Sequence, residues 1–205
     1  MNIKKILLAS LIASASAGAF AATSADMSIA GSITPAGCDI VLTGGNIDYK
    51  EITLNEQPIF GTKLADMPVN FAITCAAPST VTFKIIDNKP NTSNATAEFG
   101  LGMSNDRKIG EYRFHSTAST LMLDNVAGPV QLLDSANGNN GWAPTVTITS
   151  NNFYGVKSGV GVGTPVAFTS LSGEMMVQAV INPSSKLDLT KKIELDGSAT
   201  MEIYY

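Results

Sequence analysis

Residues 69–85 have the sequence Val-Asn-Phe-Ala-Ile-Thr-Cys-Ala-Ala-Pro-Ser-Thr-Val-Thr-Phe-Lys-Ile, and this stretch decides the fold class. Apolar residues alternate with polar or small ones from Val69 to Cys75, and again from Val81 to Ile85. Successive side chains of a β-strand point to opposite faces, so the alternation predicts two strands with one buried face each. The Ala-Ala-Pro-Ser break between them is typical of a turn, and the stretch therefore predicts a hairpin-like pair.

The same alternation returns at the carboxyl terminus. A strand is predicted over residues 198–205, and its apolar face consists of Ala199, Met201, Ile203 and Tyr205. Most chain ends are frayed. A strand that continues to the last residue therefore indicates that this end is tied into the edge of a sheet.

Other segments complete an all-β pattern. Strands are predicted at 27–34, 38–42, 47–54, 111–116, 121–123, 130–133, 145–149, 165–169 and 175–181. The 18 glycines and 9 prolines punctuate the chain, as in sandwiches and barrels built from short strands. Residues 87–108 are rich in Asn, Thr, Ser and Gly, and they predict a long surface excursion with at most a short strand near Phe99.

The first 21 residues have the three zones of a secretory signal peptide. Lys4 and Lys5 precede an apolar run over 6–13, and the small-residue end Ala-Phe-Ala predicts cleavage after Ala21. Export to the cell envelope or beyond follows, with about 184 mature residues that make up one small domain. Later stretches fall short of the roughly 20 apolar residues of a membrane helix.

The two cysteines, Cys38 and Cys75, both lie in the predicted mature part. An oxidising compartment would join them, closing a loop of about 38 residues, a crosslink worth about 3 to 4 kcal/mol in the chain-entropy model. Two buried free thiols are the alternative. A zinc site is disfavoured because His115, the single histidine, would leave the ion short of ligands.

Composition and motifs argue against nucleic-acid binding and catalysis. A net charge of −4 without a basic cluster lacks the positive surface that phosphates require. His115 falls on the polar face of a predicted strand, where an exposed histidine is expected, and the chain has no Gly-x-Ser-x-Gly nucleophile motif. Aspartates and glutamates are scattered as solvated surface groups. No enzymatic activity, cofactor or metal is therefore expected.

Trp142 is the one residue with a plausible ligand role in a loop. It lies in the glycine-containing stretch 140–144, where an aromatic ring could stack on a sugar. The alternative is an aromatic side chain that plugs the edge of the sandwich. The sequence favours the second interpretation and leaves the first open.

Residues 27–38, Met-Ser-Ile-Ala-Gly-Ser-Ile-Thr-Pro-Ala-Gly-Cys, resemble the amino end of chaperone-usher pilins. That family has alternating apolar residues, a glycine, another apolar residue and then the first cysteine, with a second cysteine some forty residues on, as Cys75 is here. It also ends in an apolar strand with a tyrosine near the terminus, and the similar residues in this chain are Met201, Ile203, Tyr204 and Tyr205. In pilins the in-phase tyrosine is usually penultimate, whereas here it is Tyr205.

Short motifs through the mature chain are similar to one subgroup of this family. The subgroup consists of uncharacterised exported proteins encoded beside fimbrial operons. The motifs are Gly44-Gly45, Asp48-Tyr49, 75–78, 99–102 and 195–197.

The resemblance implies an immunoglobulin-like sandwich that lacks its final strand. In pilins the resulting groove is filled first by a periplasmic chaperone and later by the amino-terminal extension of the next subunit, a form of β-strand addition. Residues 22–37 would be this donor extension and 38–205 the pilin-like domain. The donor positions would be Met27, Ile29, Gly31 and Ile33, and the carboxyl-terminal strand would meet the chaperone and border the groove.

The implied function is that of a structural subunit of a fimbria that contributes to cell adhesion. Its partners would be a periplasmic pilus chaperone, an outer-membrane usher, neighbouring fimbrial subunits, and a host glycan or surface receptor. The protein would pass through the periplasm to the cell surface. The alternative is a self-contained periplasmic sandwich with a binding or regulatory role, in which residues 24–34 fold back into their own groove.

Overall fold

The computed structural model describes residues 28–30, 37–54 and 61–205. The chain divides into two compact units, Met1–Thr34 and Pro35–Tyr205, and the fold below is that of the second unit. The predicted signal peptide and the donor positions Met27, Gly31 and Ile33 lie outside the described residues.

The described part of the chain consists of short and long β-strands with two 3-10 turns. The strands are β1 (Cys38–Thr43), β2 (Thr62–Lys63), β3 (Met67–Ser79), β4 (Thr82–Asp87), β5 (Phe99–Gly100), β6 (Met103–Ser104), β7 (Arg107–Lys108), β8 (Gly110–Ser116), β9 (Met122–Leu123), β10 (Val126–Ala127), β11 (Val130–Ser135), β12 (Ala143–Pro144), β13 (Thr147–Ile148), β14 (Phe153–Ser158), β15 (Phe168–Ile181) and β16 (Ala199–Tyr204). The 3-10 turns are Ala118–Thr120 and Ser184–Lys186. The all-β class predicted from the sequence is confirmed.

The strands form two main antiparallel sheets. The first has the order β1-β3-β15-β8-β13, with β2, β5, β9 and β10 attached to it, and the second has the order β12-β11-β14-β4-β16. Strands β6 and β7 form a separate hairpin. Strand β15, 14 residues long, pairs with β3 on one side and β8 on the other, and so forms the centre of the first sheet.

Aromatic side chains join the inner faces of the two sheets. The ring of Phe71 on β3 lies 6.1 Å from the ring of Phe83 on β4, which lies 5.6 Å from Tyr154 on β14. All three are buried. Alternation predicts this for Phe71 and Phe83, whereas β14, which carries Tyr154, is not among the strands predicted from the sequence. The two sheets therefore pack face to face around one apolar core, as in a β-sandwich.

The predicted hairpin over residues 69–85 is wrong, although both of its strands exist. Strand β3 belongs to the first sheet and β4 to the second, so the chain crosses between the sheets at residues 80–81. Alternation predicts which face of a strand is buried, but it does not predict which strand lies next to it. Both strands turn their apolar faces to the core, so this crossing preserves the predicted phase.

Three further expectations need correction. Residues 47–54 are not a strand: the alternation of half-buried and exposed residues breaks between Lys50 and Glu51, Lys50 has a φ of 58°, and no described strand pairs with this segment. The excursion 87–108 contains three short strands and buries Phe99 in the core. His115 is half-buried, because β8 is covered on both sides by β13 and β15.

The tight turn between β9 and β10 anchors the start of β15. Asp124 and Asn125 both have positive φ, 51° and 61°, as a two-residue hairpin turn requires. The Asp124 carboxylate accepts hydrogen bonds from Thr169 Oγ1 at 2.7 Å, Thr169 N at 2.7 Å and Ser170 N at 2.9 Å. These bonds, that of the Thr169 side chain first, lower the pKa of the Asp124 carboxyl.

We expect Asp124→Asn to lower the free energy of unfolding more at neutral pH than at acid pH. Because the pKa is lower in the folded state, the stabilisation is present above the unfolded-state pKa and is lost as pH falls through the folded-state value. Asparagine tolerates the same backbone but carries no charge, so unfolding in urea should show a loss of about 0.5 to 1 kcal/mol at pH 7 that shrinks at pH 3.

Asp106→Asn is the matched control for this prediction. Asp106 lies in the β6–β7 turn with a φ of 60°, and within the described structure its carboxylate accepts no hydrogen bond. Equal losses in the two variants at both pH values would show that the three bonds to Asp124 contribute nothing.

Candidate functional site

Strand β1 has a free edge on the first sheet, because no strand among the described residues pairs with it on the side away from β3. Ala76 N donates a hydrogen bond of 3.1 Å to Gly37 O, so the backbone N–H and C=O groups of Gly37 face β3. Backbone groups alternate in direction along a strand, so Cys38, Ile40 and Leu42 point theirs away from β3. Their side chains turn toward the core, and Ile40 and Leu42 are only partly covered, with Leu42 45% exposed.

Strand β16 has a matching free edge on the second sheet, where the described part of the chain supplies β4 as its one partner strand. Asn88 N donates to Ser198 O at 3.0 Å. Residues 198, 200, 202 and 204 therefore direct their backbone N–H and C=O groups toward β4. The residues between them, Ala199, Met201 and Ile203, turn their backbone groups outward and their side chains inward. All three side chains are half-buried, whereas Ile85, which faces Met201 across the ladder, is 2% exposed.

An apolar groove lies between these two free edges. It encloses a cavity of about 270 Å³. The cavity is lined by Leu42, Gly45, Asn46, Ile47, Tyr49, Val69, Ile85, Leu101, Tyr112, Phe114, Met175, Val177, Ala179, Leu195, Gly197, Ser198, Ala199 and Met201. Its floor consists of inward side chains of the central strands, so the groove opens directly onto the sandwich core.

A second cavity, of about 630 Å³, continues the groove beyond the ends of β1 and β16. Residues 46–54 and 187–195 form its two walls, and the cavities share Asn46, Ile47, Tyr49 and Leu195. Residues 45–54 make no backbone hydrogen bond to any other described segment. Residues 45–54 therefore continue the unpaired backbone of this side beyond the end of β1, within the described part of the chain.

The second cavity is lined by charged and apolar side chains together. Lys50 pairs with Asp48 at 2.7 Å and Lys192 with Glu194 at 2.9 Å, and all four side chains are largely exposed. Such pairs contribute little to stability. They keep the mouth of the groove hydrated beside its apolar interior.

Two tyrosines place hydroxyl groups within the groove walls. The Tyr49 hydroxyl donates to Val177 O at 3.1 Å and accepts from Ala179 N at 3.3 Å, and burial raises its pKa. The Tyr112 hydroxyl is buried without a hydrogen-bond partner among the described residues, and burial raises its pKa further. Both tyrosines thus line the groove.

The disulfide lies where β1 begins. Cys38 is bonded to Cys75, its register partner on β3, which confirms the predicted crosslink. The amide of Cys38 donates a hydrogen bond of 2.7 Å to the hydroxyl of Tyr205. This bond links the last residue of the chain to the opposite edge of the groove.

The residues predicted for the carboxyl-terminal strand divide between two faces. Met201 lines the groove and Ile203 continues the same row. Tyr204 lies on the outer face, 5.2 Å from the Phe153 ring, and its hydroxyl donates to Glu202 at 2.8 Å. Of the predicted donor positions, Ile29 falls within the described residues and is 94% exposed.

Sequence reasoning missed the opposite wall of the groove. The sequence pattern predicts strands at Leu42 and Tyr49 and a short motif at Leu195, and it indicates no groove role for any of them. All three line the groove. Their partial burial was the missing signal, and it depends on which strands lie nearby. No feature of the local sequence could have separated them from ordinary core residues.

Trp142 packs on the outer face of the second sheet. A Cβ placed on Gly155 would lie 3.5 Å from Trp142 Cζ3 and closer still to Pro165, so the ring and the proline cover this glycine together. This packing fits an aromatic plug at the edge of the sandwich. The sugar-stacking role stays a prediction.

Two negative observations apply to residues 28–30, 37–54 and 61–205. This part of the chain contains no cluster of three or more His, Cys, Asp and Glu side chains suited to a metal ion. Within the same ranges, neither of the two short helical turns has the length or apolar character needed to cross a bilayer.

Comparison with known proteins gives two similarities. A family model described as "Protein of unknown function (DUF1120)" matches residues 27–98, less than half of the chain. Protein GltF of Escherichia coli (strain K12) is 25% identical, and the similarity covers 98% of this chain and 98% of GltF. Neither description names an activity, so the function is argued from the groove.

Proposed function

We propose that this protein is a structural subunit of a chaperone-usher fimbria, assembled by donor-strand exchange and contributing to cell adhesion. The observation that carries the proposal is the pair of free edges, β1 and β16, that border one apolar groove. A single inserted strand would satisfy both edges and cover the core. In this proposal the chain has no catalytic role, and residues 1–21 act as the signal peptide that directs its export.

The groove favours a β-strand over other occupants. Its two edges present outward N–H and C=O groups at Cys38, Ile40, Leu42, Ala199, Met201 and Ile203. An extended segment can pair with such groups by main-chain hydrogen bonds while alternate side chains enter the apolar floor. A compact ligand would leave most of these backbone groups without partners.

Residues 22–37 of a second copy are the proposed occupant. Met27, Ile29 and Ile33 alternate with the spacing of a strand, and Ile29 is 94% exposed and so available for burial in a partner. Burial of three such side chains stabilises a joint by about 1.5 to 3 kcal/mol each, before the cost of ordering the extension. The joint is therefore strong enough for a durable fibre.

An unfilled groove explains the need for a periplasmic chaperone. Free strand edges above an apolar floor are templates for pairing with other chains, and they promote aggregation. A chaperone strand that fills the groove until the usher brings the next subunit would prevent such pairing. The immunoglobulin-like classification belongs to the same proposal.

The test is the double variant Ile29→Asp plus Ile33→Asp, in cells that carry the matching chaperone and usher. Two carboxylates on the buried face of the donor should leave export intact and abolish polymers, because buried unpaired charges are strongly unfavourable. The measurement is the ladder of subunits in unheated gels. Ser28→Asp plus Ser32→Asp is the matched control, since the sequence alternation would put these two residues on the opposite face of an inserted strand.

Normal ladders from the Ile29 and Ile33 variant would contradict the proposal. A wild-type protein that purifies as a lone monomer, without a chaperone and without ladders, would instead favour the self-contained periplasmic sandwich. In that protein, residues 24–34 would complete the groove of their own chain.

A further inference from the structure

The free edge of β1 offers three outward-pointing residues, and one of them already has a partner. The N–H groups of Ile40 and Leu42 have no acceptor among the described residues, whereas the N–H of Cys38 donates to Tyr205 Oη at 2.7 Å. Cys38 is thus the first position of the ladder that an inserted strand would form along β1. The hydroxyl of Tyr205 already takes this position.

This contact crosses the groove from one sheet to the other. Tyr205 follows directly after β16, the edge of the second sheet, and Cys38 opens β1, the edge of the first. The hydrogen bond therefore spans the mouth of the groove at the end where the disulfide lies. A strand that pairs with β1 over its full length needs the same N–H group.

The two ends of the contact differ in their freedom to move. Cys38 is held by its disulfide to Cys75 and by the β1–β3 ladder. Tyr205 lies outside β16 and is 72% exposed. Its ring can rotate away from the groove without disturbing the core, so the hydrogen bond to Cys38 can break and form again by movement of Tyr205.

We propose that Tyr205 is a latch on the groove, and that its hydroxyl competes with the incoming strand for the N–H of Cys38. This inference rests on the proposed function, because it concerns entry into the same groove. The latch reduces the affinity of the empty groove for a strand. It also stabilises the empty subunit by joining the two edges at one point.

The sequence of β16 offers a control for the latch. Tyr204 and Tyr205 are adjacent and carry the same hydroxyl group, but Tyr204 Oη donates to Glu202 on the outer face, away from the groove. Tyr204→Phe and Tyr205→Phe therefore remove the same atom from the same strand end. Only the second substitution touches the groove.

The experiment measures binding of a labelled synthetic peptide with the sequence of residues 22–37 to the purified full-length exported chain. One neutral hydrogen bond contributes enough that Tyr205→Phe should bind the peptide about two- to tenfold more tightly than wild type. Tyr204→Phe should bind it like wild type. Hydrogen exchange of the Cys38 amide should be faster in unbound Tyr205→Phe than in unbound wild type.

The outcomes separate the latch from the proposed function. Equal or weaker binding by Tyr205→Phe, with wild type binding the peptide, overturns the latch and leaves the groove as a strand receptor. Faster exchange without tighter binding shows a merely structural bond and also overturns it. Absence of peptide binding by wild type overturns the proposed function, and the latch with it.

Discussion

A Met201→Asp subunit is expected to donate its own extension to a neighbour but to accept none. Met201 lines the groove from the free edge of β16, and an inserted strand would enclose its side chain. The substitution removes apolar burial and places a carboxylate without a partner at a dry position. A loss of about 4 kcal/mol, or about a thousandfold in the affinity for the donor, is expected.

Polymer formation is the measurement for this variant, with folding checked by urea unfolding. Met201 is half-buried against the core, so the carboxylate can stay hydrated in the isolated subunit, and the free energy of unfolding should fall by much less than the affinity for the donor. Thr200→Asp is the matched control, because Thr200 lies on the outer face next to Asn88. It should polymerise normally.

A mixture provides a sharper form of the same test. Subunits with Ile29→Asp plus Ile33→Asp can accept a donor but cannot donate, and Met201→Asp subunits can donate but cannot accept. Together they should form one joint and stop at dimers. Long ladders from the mixture, or from Met201→Asp alone, would contradict the assignment of the groove as the acceptor.

Replacing both cysteines by serine is expected to lower the free energy of unfolding by about 3 to 4 kcal/mol. Cys38 and Cys75 are 37 positions apart, so the bond removes substantial chain entropy from the unfolded state. It also holds the first residue of β1 on β3, next to the contact with Tyr205. Its loss should therefore loosen one edge of the groove as well.

Urea unfolding of the oxidised protein and of the Cys38→Ser plus Cys75→Ser variant measures this effect. Reductant should shift the wild-type transition toward that of the variant and leave the variant unchanged. Equal midpoints for the oxidised wild type and the variant would show that the crosslink contributes no stability.

The local pattern identified most of the strands in the core. The phase of β3 and β4 was predicted, because the period of two along a strand is a property of consecutive residues. Their arrangement was not, since a hairpin and a crossing between two sheets have the same alternation. The strand predicted over 47–54 is wrong for a related reason: its residue types alternate like those of a strand, yet no described strand pairs with it.

For the candidate site, the sequence by itself determined the apolar face of the last strand and the cysteine pair. The face follows from local alternation, and the pair follows because only two cysteines exist. Only the tertiary structure decided that Cys38 and Tyr205, 167 positions apart, meet across one groove. Strand neighbours are set by long-range hydrogen bonding and packing, and a free edge is defined by a neighbour that is missing, which no local pattern can encode.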